Sequence, residues 1–427
     1  MFIRHLELYN FRNYARLEID LSARIHLLVG DNAQGKTNIL EAIYYLATTR
    51  SPLAGQDREL IRWQADTEDV IPNAQLALQY TQHGEEHSLE ASLVKEPAEQ
   101  GAPGEDVFRR QLRHDGVNRR AMDVVGKLNV VLFLPEDILL VSGSPGERRR
   151  YLDVFLCQLD AHYCRTLSAY NRVLTQRNAL LRRIREGTAR PGELSYWDAQ
   201  LVRHGAYVMA RRIWAVARLE THALEAQRAL TGGDEELRLR YDHTLVGHAS
   251  LDEIATRLSE PDLRWGGADQ PEGDAIGSLE QRFGEGLQRV QREELARGVT
   301  VLGPHRDDMR FILNGYNARV YGSRGQQRSV ALALKLSEVT CTQESVGEMP
   351  VLLLDDLLSE LDRQRGGYVL ERVAAAEQVL VTTTSLEEVP ASFVESARIW
   401  RIQGGTAVPW AGPLSEPNAT TQEDEAT

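Results

Sequence analysis

The sequence predicts an α/β protein whose sheet is assembled from both ends of the chain around an inserted, mostly helical arm. Three observations predict it. Near the N-terminus the strand-like run Arg24–Val29 ends in Gly30-Asp31-Asn32-Ala33-Gln34-Gly35-Lys36-Thr37, and a helical run from Asn38 to Ala47 follows. Near the C-terminus the apolar run Val351–Leu354 ends in Asp355 and Asp356. Between these, from Glu147 onward, apolar residues recur every three or four positions with few breakers.

The first run is G-x-x-x-x-G-K-T between a predicted strand and a predicted helix, which is a phosphate-binding loop. Gly30 and Gly35 let the backbone curl, so that N–H groups across Asp31, Asn32, Ala33 and Gln34 point at phosphate oxygens. Lys36 supplies a point charge to the β/γ-phosphates, Thr37 a hydroxyl to Mg²⁺, and the helix N-terminus its dipole. ATP and Mg²⁺ are the ligands this pattern predicts. Lysine is scarce, with four among 49 Lys plus Arg, so its placement here is informative.

The C-terminal run supplies the other half. A buried strand ending in Asp355 delivers a carboxylate that can hold Mg²⁺. Asp356 is placed to take a proton from an attacking water. An acidic pair that merely caps a helix is the plain alternative. Upstream, Ser323, Gly325 and Gln326 open another predicted helix and offer a second anion site. One phosphate loop does not need it within the same chain; two chains docked head to tail do. A simple N-cap serine is the alternative there.

Elements fall in order. Phe2–Leu8 and Arg16–Leu21 alternate and form a hairpin. Gln75–Tyr80, Ser88–Val94 and Phe108–Arg113 are further strands, with Asp115-Gly116 a hairpin turn. Glu96–Glu105 is a charged loop, and Val124–Leu134 is a buried strand. Helical stretches run over Glu147–Glu186 and Glu193–Ala229, broken at Gly187–Gly192 into an antiparallel hairpin. Trp265–Gly273 is a loop and Ile276–Arg297 a helix. Met309–Leu313 and Arg319–Tyr321 are strands around Asn314-Gly315; a helix runs over Gly325–Thr340, and Val379–Thr384 is a buried strand. The expected domains are 1–145, an N-terminal lobe; 146–299, the helical arm; 300–411, a C-terminal lobe; and 412–427, a disordered tail.

Composition narrows the class. The chain has 427 residues, 42% hydrophobic and 26% charged, as in soluble globular proteins. No window reaches the apolar length of a membrane span, and the N-terminus reads as a first strand, not a signal peptide. Three cysteines without a C-x-x-C pair predict a reducing cytoplasm; Cys157 and Cys164, seven apart on one predicted helix, predict packing. A net charge of −13 excludes a protein that coats nucleic acid with its whole surface, and any DNA face must be local. Arg148, Arg149, Arg182, Arg183 and Arg185 are the candidate DNA contacts; solvated or Glu-paired arginines are the alternative. His305, in Gly303-Pro304-His305-Arg306, has no partner histidine at ligand spacing and reads as structural.

The three motifs in this order resemble the ATP-binding-cassette heads of the SMC and DNA-repair group. Phe11–Tyr14, Gly30–Thr37 with Asn38–Tyr45, Pro135–Asp153, Gly303–Asp308 and Ser323–Arg328 together resemble the RecF family, over residues 1 to about 403. The resemblance implies an ABC-type ATPase head with a short arm. It implies weak, DNA-dependent ATPase activity and an ATP-dependent homodimer on single- and double-stranded DNA at gapped junctions. It further implies action with RecR and RecO to load RecA, in the cytoplasm and at the nucleoid. Ser359–Asp362 resembles the loop that follows the strand ending in Asp355 and Asp356 in such heads. Three positions depart from the pattern: Leu134–Asp137 where a Gln is common, Thr382–Thr384 where a His is common, and Ser51–Ala54, less basic than the resemblance implies after the first helix. The rival readings are an SMC-like scaffold ATPase, which would need far longer coiled coil, and a transporter cassette, which the arm argues against.

Overall fold

The computed structural model describes residues 1–97, 106–245, 272–357 and 363–410. Its centre is a six-stranded sheet built from β3 (Ile25–Val29), β8 (Val130–Phe133), β12 (Val351–Leu354), β13 (Val379–Thr383), β14 (Arg398–Gln403) and β15 (Thr406–Pro409). The strands lie in the order β15-β14-β3-β13-β12-β8. All pairs are parallel except β14–β15. β3, β8, β12 and β13 are buried at every residue, which explains their unbroken apolar runs.

A second sheet comprises β1 (Phe2–Phe11), β2 (Tyr14–Asp20), β4 (Asn73–Gln82), β5 (Glu85–Pro97), β6 (Asp106–His114) and β7 (Val117–Arg119). Its order is β2-β1-β4-β5-β6-β7, antiparallel throughout. Helix α1 (Lys36–Thr48) lies between the two sheets. Alternation divides the central sheet: Leu28, Leu132, Leu353 and Leu380 face α1 and the antiparallel sheet, while Leu27, Val131, Leu354 and Val381 face the helices on the other side.

The ends of the chain are stitched together. The Ile3 N–H donates to Gln378 Oε1 at 2.6 Å, and Gln378 Nε2 donates to Leu21 O at 2.6 Å and Ile3 O at 2.8 Å. This amide is fully buried with both ends satisfied, so it fixes the N-terminal hairpin against the strand leading to β13.

The arm is built from α2 (Pro145–Leu159), α3 (Ala161–Arg185), α4 (Leu194–Leu230) and α5 (Glu272–Arg297). The expected single stretch over Glu147–Glu186 is two helices. Asp160 leaves the helical conformation and its carboxylate accepts from the His162 and Tyr163 N–H groups, capping α3. Cys157 and Cys164 therefore sit on different helices. A fully buried Arg177 locks the arm, bonding Asp198 on α4 and Glu294 on α5 at 2.7 Å each.

Two strand expectations change and one strand is added. Val124–Leu134 yields only β8; Ala121–Val124 is a helical turn and Gly126 has φ +84°. Arg319–Tyr321 lies in the helical turn Ala318–Tyr321, not a strand. Strand β9 (Leu237–Asp242) has no counterpart among the sequence expectations; it pairs antiparallel with β10 (Asp308–Leu313), which also pairs with β11 (Tyr316–Asn317). Helix α6 (Arg324–Val346) leads into β12, and α7 (Arg363–Ala374) leads into β13. Residues 98–105, most of Trp265–Gly273, Ser359–Asp362 and the tail 412–427 lie outside the described residues.

Candidate nucleotide site

β3 delivers Gly30 to the middle of the central sheet, and the loop to Gly35 closes on α1. Two glycines are obligatory here. A Cβ on Gly30 would overlap the Ile402 carbonyl, and Gly35 has φ +112° with a would-be Cβ 2.9 Å from Tyr14 Oη. Asp31, Asn32 and Ala33 are exposed while Gly35 and Lys36 are buried, so the rim of the loop faces solvent. Lys36 Nζ donates to Gly30 O at 2.5 Å and Asp31 O at 3.1 Å, its ammonium held inside the curl of the loop.

The loop is braced from outside by residues distant in sequence. Asn13 Nδ2 donates to Gln34 O at 2.8 Å and Tyr14 Oη to Gly35 O at 3.0 Å. Gly404 N donates to Gln34 Oε1 at 2.7 Å. Arg12, at φ +53°, grips the buried Glu41 of α1 through Nε and Nη2 at 2.7 and 2.6 Å. The Phe11–Tyr14 turn is thus a clamp on the phosphate loop and its helix.

Asp355 stands at the end of β12, 7% exposed. The Thr37 hydroxyl donates to it at 2.9 Å and the Thr382 hydroxyl at 2.7 Å. Burial raises its pKa above the ordinary carboxylate range, and the Thr382 and Thr37 hydroxyls pull it back. Thr382 also accepts the Asp356 N–H at 2.9 Å, and Asp356 sits at φ +48°, a strained conformation for a non-glycine residue. So the structure brings Lys36, Thr37, Asp355 and Asp356 to one place. In the sequence Thr382 stands out only for occupying a place where His is common, yet it is buried in β13 and orients both aspartates. Thr383 and Thr384 turn their hydroxyls to Glu388 instead.

At the Gln-less position, Glu136 is exposed and close enough for its charge to raise the Asp355 pKa. Asp137 turns inward, accepts the Leu134 N–H at 2.9 Å, and is pushed up to about 6, chiefly by burial. Thr37 and Asp355 present oxygen atoms side by side next to the loop, which suits a hydrated Mg²⁺.

Ser323 lies at the N-terminus of α6. Its Oγ accepts the Gln326 N–H at 3.2 Å, and Gln326 Oε1 accepts the Ser323 N–H at 2.9 Å. Ser323, Arg324 and Gly325 are exposed, as are Tyr316, Val320 and Tyr321 beside them. The capping box is local, and the outer face of this helix start is open to solvent.

Arg148 corrects an expectation. Its guanidinium is 2% exposed and donates to Asp308 at 2.7 and 3.0 Å and to the Leu140 and Gly143 carbonyls. It bolts α2 to β10 and is too deeply buried to reach DNA. Arg149 donates to Asp307 O, while Arg182, Arg183 and Arg185 are at the arm tip, Arg182, Arg183 and Arg185 all reaching solvent. A groove of about 1120 Å³ between the end of α1 and helices α2 and α3 is lined by Arg50, Arg110, Arg149, Arg150 and Arg172, with Asp153 among them. Arg50, Arg110 and Arg172 had no sequence signal, because the fold alone gathers them. His305 is structural: its ring lies between Tyr170 Oη at 2.7 Å and Thr300 O at 3.2 Å, and burial lowers its pKa to about 4.

Comparison with known proteins matches this architecture. The RecF/RecN/SMC N terminal domain family model covers residues 2–403. The DNA replication and repair protein RecF of Chloroflexus aggregans is 43% identical over 95% of this chain and 99% of its own length. That of Roseiflexus castenholzii is 43% identical over 96% and 100%. The chain belongs to the RecF family. A solved structure of the recombination mediator RecF with ATP, of the RecFOR pathway, superposes with a TM-score of 0.79 at 28% identity, covering 96% of this chain and 98% of that one. The fold is accordingly an ABC-type ATPase head with an inserted helical arm. Among the described residues no helix is long and apolar enough to cross a membrane.

Proposed function

We propose that this chain is an ATP-switched, DNA-binding protein of recombinational repair and replication restart. It works as an N-terminal lobe (1–145), an arm (146–299) and a C-terminal lobe (300–411). ATP closes a head-to-tail homodimer on DNA, and slow hydrolysis releases it. The observation that carries the reading is the convergence of Lys36, Thr37, Asp355 and Asp356, from opposite ends of the sequence, at the C-terminal ends of the parallel strands β3 and β12.

The roles follow from the geometry. Lys36 leaves the Gly30 and Asp31 carbonyls for the β/γ-phosphates, and the loop N–H groups take phosphate oxygens. Thr37 and Asp355 would hold Mg²⁺, which when bound would neutralise phosphate charge. Asp356, aimed by Thr382, takes a proton from water. Ser323 and Gly325 meet the partner copy's nucleotide, and Tyr316, Val320 and Tyr321 give that contact apolar area. DNA phosphates lie along the basic groove between α1 and α3. Within this reading the partners are RecR and, through it, RecO and RecA at single-strand gaps, and the protein works in the cytoplasm.

Paired substitutions test it. Lys36→Met is expected to abolish ATP binding and the ATP-dependent part of DNA binding. Asp356→Asn is expected to bind ATP, hydrolyse it far more slowly and dwell longer on gapped duplex. An Asn variant that hydrolyses ATP at the parental rate would remove Asp356 from the role of base.

A further inference from the structure

At the end of the antiparallel sheet, far in sequence from the nucleotide residues, two imidazoles and a carboxylate converge. Tyr80 and His87 pair across β4 and β5, and His114 pairs with Leu89 across β5 and β6, so all three side chains share a face. The His87 and His114 rings stack at 5.5 Å between centroids, 21° from parallel. Asp115 follows in the tight turn to β7, at φ +51°. Its Oδ1 accepts the Ser88 N–H at 2.8 Å, which aims Oδ2 at the imidazoles. Oδ2 lies 3.0 Å from His87 Nδ1 and 3.5 Å from His114 Nδ1.

We propose that His87 Nδ1, His114 Nδ1 and Asp115 Oδ2 form a binding site for a borderline divalent cation, Zn²⁺ foremost, that clamps the β6–β7 turn to β5. One ligand atom from each residue lies within 4.8 Å of the other two. Tetrahedral zinc with N and O ligands at about 2.0–2.1 Å spaces its ligand atoms about 3.3 Å apart, and the two N···O distances bracket that value. The outer contacts also match. Tyr80 Oη lies 3.2 Å from His114 Nε2 and can accept a hydrogen bond from it, the tautomer that leaves Nδ1 its lone pair for a metal. Lys127 and Arg119 bring positive charge near His114, and Glu85, 4.0 Å from His87 Nε2, offsets it. Asp115 is half exposed and His87 partly so, which leaves an entry path and room for water as a fourth ligand. The donor set separates this site from the oxygen-only Mg²⁺ site.

Zn²⁺ titration of the chelator-stripped full chain, followed by calorimetry and bound-metal analysis, tests it. One equivalent is expected to bind at about 10 μM or tighter and to raise the melting temperature; Co²⁺ in its place is expected to give tetrahedral visible absorption. His87→Ala/His114→Ala is expected to lose that equivalent. Asp115→Asn, which keeps the turn because Asn tolerates the left-handed region, is expected to weaken it at least about tenfold. Cys157→Ser/Cys164→Ser is expected to retain it. An equivalent lost with the cysteines and kept without the histidines would overturn the proposal, as would a parental chain that binds no zinc at about 100 μM.

Discussion

The Thr382 hydroxyl donates to Asp355 Oδ1 at 2.7 Å and accepts the Asp356 N–H at 2.9 Å, so one side chain on β13 orients two consecutive aspartates on the neighbouring strand. A hydroxyl can do both because it is donor and acceptor at once. Thr382→Val keeps the shape and β-branching but leaves a buried carboxylate oxygen and an amide without this partner. ATP turnover is expected to fall by about 10–100-fold, as for other groups that orient metal-binding carboxylates. Thr383, one residue on, bonds Glu388 instead, and Thr383→Val serves as the matched control in the same steady-state assay.

Asp137 gives the fold a pH signature. Burial is the main cause of its raised pKa, about 6, and the Lys335 cation and the Leu134 N–H only partly offset it. The folded state therefore binds this proton more tightly than the unfolded state does. Its contribution is full below about pH 4 and is lost as pH rises through about 6, by no more than about 3 kcal/mol. Asp137→Asn retains an acceptor for Leu134 and removes the titration. Urea unfolding at pH 4.5 and 7.5 is expected to show the variant gaining on the parent at the higher pH; an identical pH dependence would contradict the assignment.

Counterion release separates the two basic regions. Removing one arginine–phosphate pairing on duplex DNA lowers the slope of log K against log salt by about 0.9. Arg50→Gln/Arg172→Gln in the groove is expected to flatten that slope by about 2 with ATP binding intact. Arg182→Gln/Arg183→Gln/Arg185→Gln at the arm tip is expected to change it less, since Arg185 already donates to the Arg297 carbonyl and Arg182 packs on Gly298. The reverse order would move the DNA to the arm tip.

Much of the fold and of the nucleotide site is legible in the sequence, because the signals are local. Gly30–Thr37 and Val351–Asp356 each declare a strand end, and adjacent residues carry the chemistry. The antiparallel strands alternate, so their faces can be read. The rest depends on contacts between distant segments. β9 shows itself only by pairing with β10, some 70 residues later in the chain. The break at Asp160 rests on a cap within a run that otherwise has helical spacing. Arg148 reads as one of three surface arginines until Asp308 arrives beside it. The Asn13 and Tyr14 clamp and the Thr382 bridge are single hydrogen bonds across the fold, with no periodicity to betray them.

The central claim is that ATP joins two copies through Ser323, an exposed residue whose own side chain takes part in a local capping box with Gln326. Light scattering on the eluting protein, with and without saturating ATP and Mg²⁺, addresses it most directly. The account predicts a monomer or weak dimer without nucleotide, a dimer with it, and a Ser323→Arg variant that still binds ATP but stays monomeric. A parental chain that remains monomeric in saturating ATP, or a Ser323→Arg variant that dimerises as well as the parent, would contradict it.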